Sequence, residues 1–172
     1  MIENRIKETQ TILNGFSIDC GKPDGIIGEK TLRGIKEFQS VFGLRVDGIV
    51  GVISYKVLMK LKDVRSFKVN EFQCRHCKKV KLDVDMLVLL QKLRDRVGAL
   101  RITSGYRCTT HNKNVGGAKN SQHLKGTACD VVPLESNVRN VYSHANEVFM
   151  RGGVGSYKTF THVDNRGYRS RW

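Results

Sequence analysis

The chain is short of acidic residues, of apolar runs and of paired cysteine motifs, and each shortage narrows what it can be. Its 172 residues hold 16 Asp and Glu against 30 Lys and Arg, a formal net charge of +14. The excess is uneven: residues 1–66 carry 11 basic against 8 acidic side chains, and residues 67–172 carry 19 against 8. Such a surface favours polyanions, whether nucleic acid, anionic lipid or acidic wall polymers. No stretch approaches the roughly 20 apolar residues of a membrane span. The longest continuous apolar run, Met86 to Leu90, belongs inside a helix. The first eight residues, Met1 to Glu8, alternate apolar and charged side chains without the apolar core of a secretory signal. Synthesis in a reducing cytoplasm is therefore expected, with another exit route for any work outside it. Five cysteines, an odd number, do not complete a disulfide framework. Cys74-Arg75-His76-Cys77 has knuckle spacing, but no second Cys-x-x-Cys follows, and Cys108 and Cys129 stand alone. Reduced structural thiols are the expected state, with an auxiliary metal site at Cys74/Cys77 or a disulfide as alternatives. Without the second half of a knuckle, and with aromatics that form no stacking platform, no nucleic-acid partner is expected.

What is present divides the chain in two. An apolar fraction of 40% is enough for a core, and the length lies near the limit between one domain and two. Asp24-Gly25-Ile26-Ile27-Gly28 recurs as Asp47-Gly48-Ile49-Val50-Gly51, each a turn whose glycines can take positive φ. A helical pattern follows each copy, about 29–42 with Leu32, Ile35, Phe38 and Phe42 on one side, and about 52–61 with Tyr55, Leu58 and Leu61. A first helix over about 2–13 would bury Ile6 and Ile12 or Leu13. Residues 1–64 thus read as a small three-helix bundle, and Lys62 to Ser66 as a short polar connector. Residues 67–172 alternate helix and strand patterns: a helix about 87–97 stopped by Gly98, a strand at 100–103, a loop from Thr109 to Ser121, a strand from Asp130 to Pro133, a helix about 137–151, and a last strand around His162. The expected class is α+β, a helical bundle followed by an α+β domain with a small antiparallel sheet.

The chemistry concentrates in that second domain. His123 and Asp130 lie in Ser121-Gln122-His123-Leu124-Lys125-Gly126-Thr127-Ala128-Cys129-Asp130, and His162 in Thr161-His162-Val163-Asp164. Two imidazoles and one carboxylate are the ligand set of a catalytic zinc site, which keeps a fourth position for water. Gly126 lets the chain turn between His123 and Asp130. Strand alternation puts His162 and Asp164 on one face, so Asp164 is a candidate to orient a ligand or to act as base, the orienting role being favoured.

Two resemblances follow from these motifs. Over about residues 5–61, the repeated Asp-Gly-x-x-Gly turn and Thr31-Leu32-Arg33-Gly34-Ile35-Lys36-Glu37-Phe38-Gln39 resemble the peptidoglycan-binding type 1 module, with Gly34 where that module usually has alanine. Over about 67–172, Thr103-Ser104-Gly105-Tyr106-Arg107, His111-Asn112, Gly116 to His123, Gly126 to Asp130, and Thr161 to Asp164 look like the M15 zinc peptidases. The second resemblance implies one catalytic zinc ion held by His123, Asp130 and His162, with Arg107 clamping substrate or stabilising the oxyanion. Ser121 would hydrogen-bond substrate backbone or orient the His123 loop, while His111 reads as an ordinary loop histidine. Many relatives place an acid or histidine three residues before the last ligand, where this chain has Thr159. Together the resemblances imply a monomeric endolysin that cuts peptide bonds in bacterial peptidoglycan, held to the wall and its anionic polymers by the first domain. The alternative is a non-catalytic wall-binding protein with a vestigial zinc site.

Overall fold

A computed structural model describes residues 2–172, and they form two compact units divided between Asn70 and Glu71. In the first unit, α1 (Ile2–Gly15), α2 (Glu29–Val41) and α3 (Val52–Leu61) enclose a core of Leu13, Phe16, Ile18, Ile35, Phe38, Leu58 and Leu61. The inner faces are partly polar, for a definite reason. Gln10 of α1 and Gln39 of α2 are both 1% exposed, and each clamps one copy of the repeated turn. Gln10 Nε2 donates to Asp24 Oδ1 and Ile26 O, while its Oε1 accepts from Gly25 N. Gln39 repeats the pattern on Asp47 Oδ1, Ile49 O and Gly48 N. The amide side chain thus supplies partners to backbone groups that no helix or strand would satisfy. Gly25 and Gly48 sit at φ +85° and +76°, the left-handed region that the turn requires.

Gly34 has a packing reason: a Cβ there would lie 2.4 Å from Cys20 Sγ and 2.9 Å from Asp19 O. Alanine would favour the helix but collide with the neighbouring chain. Leu32, expected in the core, is instead 37% exposed, because Thr31, Gly34, Ile35, Phe38 and Gln39 form the inward stripe. Ile6 and Ile12 are half-buried, and Leu13 takes the buried position.

The second unit is built on a five-stranded sheet in the order β1-β2-β4-β3-β5. Its strands are β1 (Leu100–Ser104), β2 (Ala128–Pro133), β3 (Gly153–Ser156), β4 (Thr161–Asp164) and β5 (Ser170–Arg171). The first four pair antiparallel, but β5 adds to β3 in parallel, so the sheet is mixed rather than wholly antiparallel. One face carries Cys129, Val131, Val154 and Val163, all fully buried, towards α4 (Val84–Val97) and α6 (Val138–Val148). Asp83 caps α4 by accepting from Met86 N, and Gly98 ends it at φ +84°. Alternation along β2 and β4 sends Asp130, His162 and Asp164 to the opposite face. Between β1 and β2 the loop expected from Thr109 to Ser121 contains a short helix, α5 (Thr109–Asn114), and is followed by a 3-10 turn, Gln122–Lys125. The helix has no apolar stripe to announce it; Cys108 caps it by accepting from His111 N.

Gln39→Leu removes a buried amide that makes three hydrogen bonds while leaving the turn's backbone groups unpaired. It is expected to destabilise the protein by about 2–4 kcal/mol. Calorimetry of the full-length chain checks this, and an unchanged melting transition would contradict the clamp.

Candidate active site

The antiparallel register of β2 and β4 sets Asp130 directly opposite His162, and Ala128 opposite Asp164. His123 reaches the same point from the 3-10 turn, which ends at Gly126 with φ +76°. His123 Nε2 lies 3.3 Å from His162 Nδ1 and 3.3 Å from Asp130 Oδ1, and His162 Nδ1 lies 2.9 Å from Asp130 Oδ1. With zinc–ligand bonds of about 2.0–2.2 Å, a tetrahedral site has ligand–ligand edges of ~3.3–3.6 Å. The three donor atoms therefore fit around one such ion with little movement, and two imidazoles plus a carboxylate suit zinc.

The remaining ring nitrogens are occupied in a way that frees these atoms. His123 Nδ1 lies 2.7 Å from Gly105 O, which fixes the proton on Nδ1 and leaves Nε2 as the donor to a metal. His162 Nε2 lies 3.0 Å from Asp164 Oδ2, which leaves its Nδ1 facing Asp130. Asp164 is fully buried and also accepts from Gly153 N, Arg166 N, and Arg166 Nε and Nη2. A Cβ on Gly153 would lie 2.3 Å from Asp164 Oδ2, so glycine there makes room for the carboxylate. Burial alone would raise the pKa of Asp164, but His162 and Arg166 outweigh it and hold the carboxyl well below its usual range. Asp130 behaves alike: burial opposes ionisation, and hydrogen bonds from His123 and His162 overcome it. Burial lowers the His162 pKa, but Asp130 and Asp164 together raise it above the ordinary value.

Arg107 donates from Nη2 to the second carboxylate oxygen of Asp130 and from Nε to Ser104 Oγ at 2.8 Å. Ser121 begins the 3-10 turn without capping it by its side chain. Both line an open cleft of about 990 Å³, together with His123, Asp130 and His162. Among the described residues the cleft lining carries Arg107, Lys125 and Arg166 but no carboxylate except Asp130. Thr159 is exposed between β3 and β4 and does not line the cleft, and His111 sits on α5 outside it.

An aromatic wall was not singled out from sequence. Tyr157 and Phe160 stack at 4.3 Å between ring centroids, Trp172 Nε1 donates to Tyr157 Oη at 3.0 Å, and the Trp172 ring lies 5.4 Å from that of His162. Arg166 lies over the Trp172 ring at 4.8 Å. Arg166 was also missed, although its place two residues after Asp164 continues the spacing of His162 and Asp164.

The model of the peptidase M15 family matches residues 65–164. The chain belongs to that family. In this M15 chain the model of a putative peptidoglycan binding domain also matches, over residues 3–58. The chain is similar to a zinc D-Ala-D-Ala carboxypeptidase of Streptomyces albus G, with 34% identity over 125 residues, covering 63% of this chain and 49% of the relative. It thus spans about half the length of that curated relative. Within the first unit, a separate groove of about 310 Å³ is lined by Arg5, Ile27, Ile35, Ile49, Val50 and Tyr55 among others.

In the metal-free protein, the depressed Asp130 and Asp164 contribute stability above the unfolded carboxylate value of ~3.9, and that contribution is lost as pH falls. The raised His162 contributes fully below its unfolded value of ~6.5, and that contribution fades as pH rises through its folded value. The metal-free melting temperature is therefore expected to peak between about pH 4 and pH 6.5. Zinc competes with the His162 proton, so its stabilising effect grows with pH. Melting curves across pH, with and without zinc, test both trends; a zinc effect largest at the acid end would contradict them.

Proposed function

We propose that this chain is a zinc peptidase that hydrolyses peptide bonds in bacterial peptidoglycan, with residues 1–64 as a wall-binding module and residues 67–172 as the catalytic domain. The observation that carries the reading is the meeting of His123 Nε2, Asp130 Oδ1 and His162 Nδ1 within 3.3 Å at one cleft. His123, Asp130 and His162 would hold the ion. Zinc bound there supplies Lewis acidity and lowers the pKa of a water to about 7.

The chain's own residues divide the remaining work. Asp164 acts through His162: with every described contact of its carboxylate made to His162, Gly153 and Arg166, it is a positioning residue rather than a proton acceptor. Arg107 uses part of its guanidinium fork on Asp130 and Ser104 and turns the rest to the substrate carbonyl, where negative charge develops. Ser121 hydrogen-bonds substrate backbone. The basic lining from Arg107, Lys125 and Arg166 suits a peptide that carries free carboxylates, as wall stem peptides do. Apolar side chains and Tyr55 in the first unit's groove give the module a surface for wall glycopeptide. The pairing of a wall-binding module with this domain, and the +14 charge, favour an endopeptidase of the endolysin type acting as a monomer on intact wall.

A second reading rests on one observation. Among the described residues the cleft has no carboxylate besides Asp130, and Thr159 lies outside it, which fits a wall-binding protein that retains the pocket without turnover.

Digests of purified wall separate these readings. Chelation is expected to abolish the appearance of new amino termini, zinc to restore it, and His123→Ala to be inactive throughout. Full-rate cleavage by a zinc-free sample would overturn the metal-dependent reading, and tight wall binding without any new termini would select the second. Mass spectrometry of the fragments is expected to show cleavage at internal stem or cross-link bonds; release of terminal D-Ala alone would reassign the enzyme as a carboxypeptidase. Arg107→Lys keeps the charge but loses the planar fork, and is expected to lower kcat by about 10²-fold or more with a smaller change in KM.

A further inference from the structure

Cys74, Cys77 and Cys108 take no part in the chemistry above and do not line the cleft, yet the fold gathers them. Their sulfur atoms lie within 4.8 Å of one another, although Cys108 is far from the other two in sequence and was expected to stand alone. The Cys74–Cys77 segment is a tight turn: Lys78 N donates to Cys74 O at 2.9 Å, and Cys74 N donates to Lys79 O at 2.9 Å. Lys78 closes it at φ +60°, a conformation that lysine rarely adopts. Backbone N–H groups aim at the sulfurs, Cys108 N at Cys74 Sγ and His111 N at Cys108 Sγ, both at 3.4 Å. Burial pushes the Cys74 thiol up, but N–H groups of Cys77, Cys108 and His76 outweigh it and bring it down to about 7. His76, inside the same turn, has Nδ1 3.5 Å from Cys108 Sγ.

We propose that Cys74, Cys77 and Cys108 form a second and structural zinc site, which exposed His76, beside Cys108 alone, completes by turning its ring towards the other two sulfurs. Three thiolates and an imidazole are a closed tetrahedral donor set, in contrast to the open set at His123, Asp130 and His162. Zinc–sulfur bonds of about 2.3 Å require sulfur–sulfur edges of ~3.8 Å, so the observed cluster closes onto an ion by a contraction of about 1 Å or less. Soft thiolates select zinc over magnesium, calcium or manganese. A disulfide would consume two sulfurs and leave the third, and the N–H groups directed at it, without purpose.

The location gives the ion a task. Cys108 directly follows Arg107, and Gly105, three residues earlier, holds His123 through its carbonyl. Arg75 of the same turn donates to Thr103 O at 2.7 Å, tying the turn to the end of β1. A bound ion would join the Cys74–Cys77 turn to the segment from Thr103 to Cys108. It would thereby anchor the stretch that carries Arg107 without touching substrate.

The test is metal content and cobalt spectroscopy on full-length chain prepared under reducing conditions without chelator. Wild-type protein is expected to hold about two zinc ions, and both Cys77→Ser/Cys108→Ser and His123→Ala/His162→Ala about one each. Cobalt loaded into the His123→Ala/His162→Ala variant is expected to show thiolate-to-cobalt charge-transfer absorption, a signature that the first site, lacking sulfur, cannot give. That arm holds even if the cysteine variant fails to fold. About one zinc per wild-type chain with no thiolate–cobalt band, or a native disulfide among these cysteines, would overturn the proposal.

Discussion

The pairing of β2 with β4 is the constraint from which the second unit follows. Because Asp130 stands opposite His162, a carboxylate and an imidazole point from neighbouring strands at one place, and Asp164 is delivered to the far nitrogen of the same ring. The apolar residues on the other side of those strands, Cys129, Val131 and Val163, are fully buried under the helices. A slip of one residue would turn those apolar side chains into the cleft and bury the charges, so the core and the polar site enforce the same register. Burial of Asp130 and Asp164 is tolerable only because each is matched by basic partners, Arg107 for one and Arg166 for the other, with His162 shared between them.

Legibility in the sequence followed locality. His123, Asp130 and His162, which the fold brings together, could be picked out because their residue types are chemically narrow and their flanking residues form ordered motifs. The helices with apolar stripes, expected over about 87–97 and 52–61, were visible from period alone, although α4 starts three residues earlier, after the Asp83 cap. What depended on long-range contact was not. The approach of Cys108 to Cys74 is made by the folded path around Gly105 and Phe72, where a Cβ on Gly105 would lie 2.6 Å from the Phe72 backbone. Helix α5 has six residues, Thr-Thr-His-Asn-Lys-Asn, too polar and short for any periodicity to mark it. The two-residue β5 and its parallel pairing are likewise set by tertiary structure, through Ser170 N on Gly152 O and Trp172 N on Val154 O. Leu32 falls outside the core because Thr31, Gly34 and Gln39, residues with no apolar signal, take inward positions of α2 beside Ile35 and Phe38.

Polar residues in the interior serve contrasting ends in the two units. In the second unit they form a charged cluster whose partners balance one another around a place for an ion. In the first, Gln10, Thr31 and Gln39 are neutral, and they satisfy the backbone of loops that have no regular structure of their own. Asp24 and Asp47 complete those loops by accepting from Ile26 N and Ile49 N; hydrogen bonds from Gln10 and Ile26 N hold the Asp24 carboxyl below the usual range, and those from Ile49 N and Gln39 do so for Asp47.

The twin glutamine clamps separate shape from display. Each turn's path is dictated from the preceding helix, through contacts to main-chain atoms and to one Asp, so those hydrogen bonds do not involve the aliphatic side chains at its tip. Ile26, Ile27 and Ile49 are accordingly 66%, 54% and 68% exposed. Substitutions at those tips therefore alter the surface that the first unit presents while leaving in place the glutamine hydrogen bonds that set the turns.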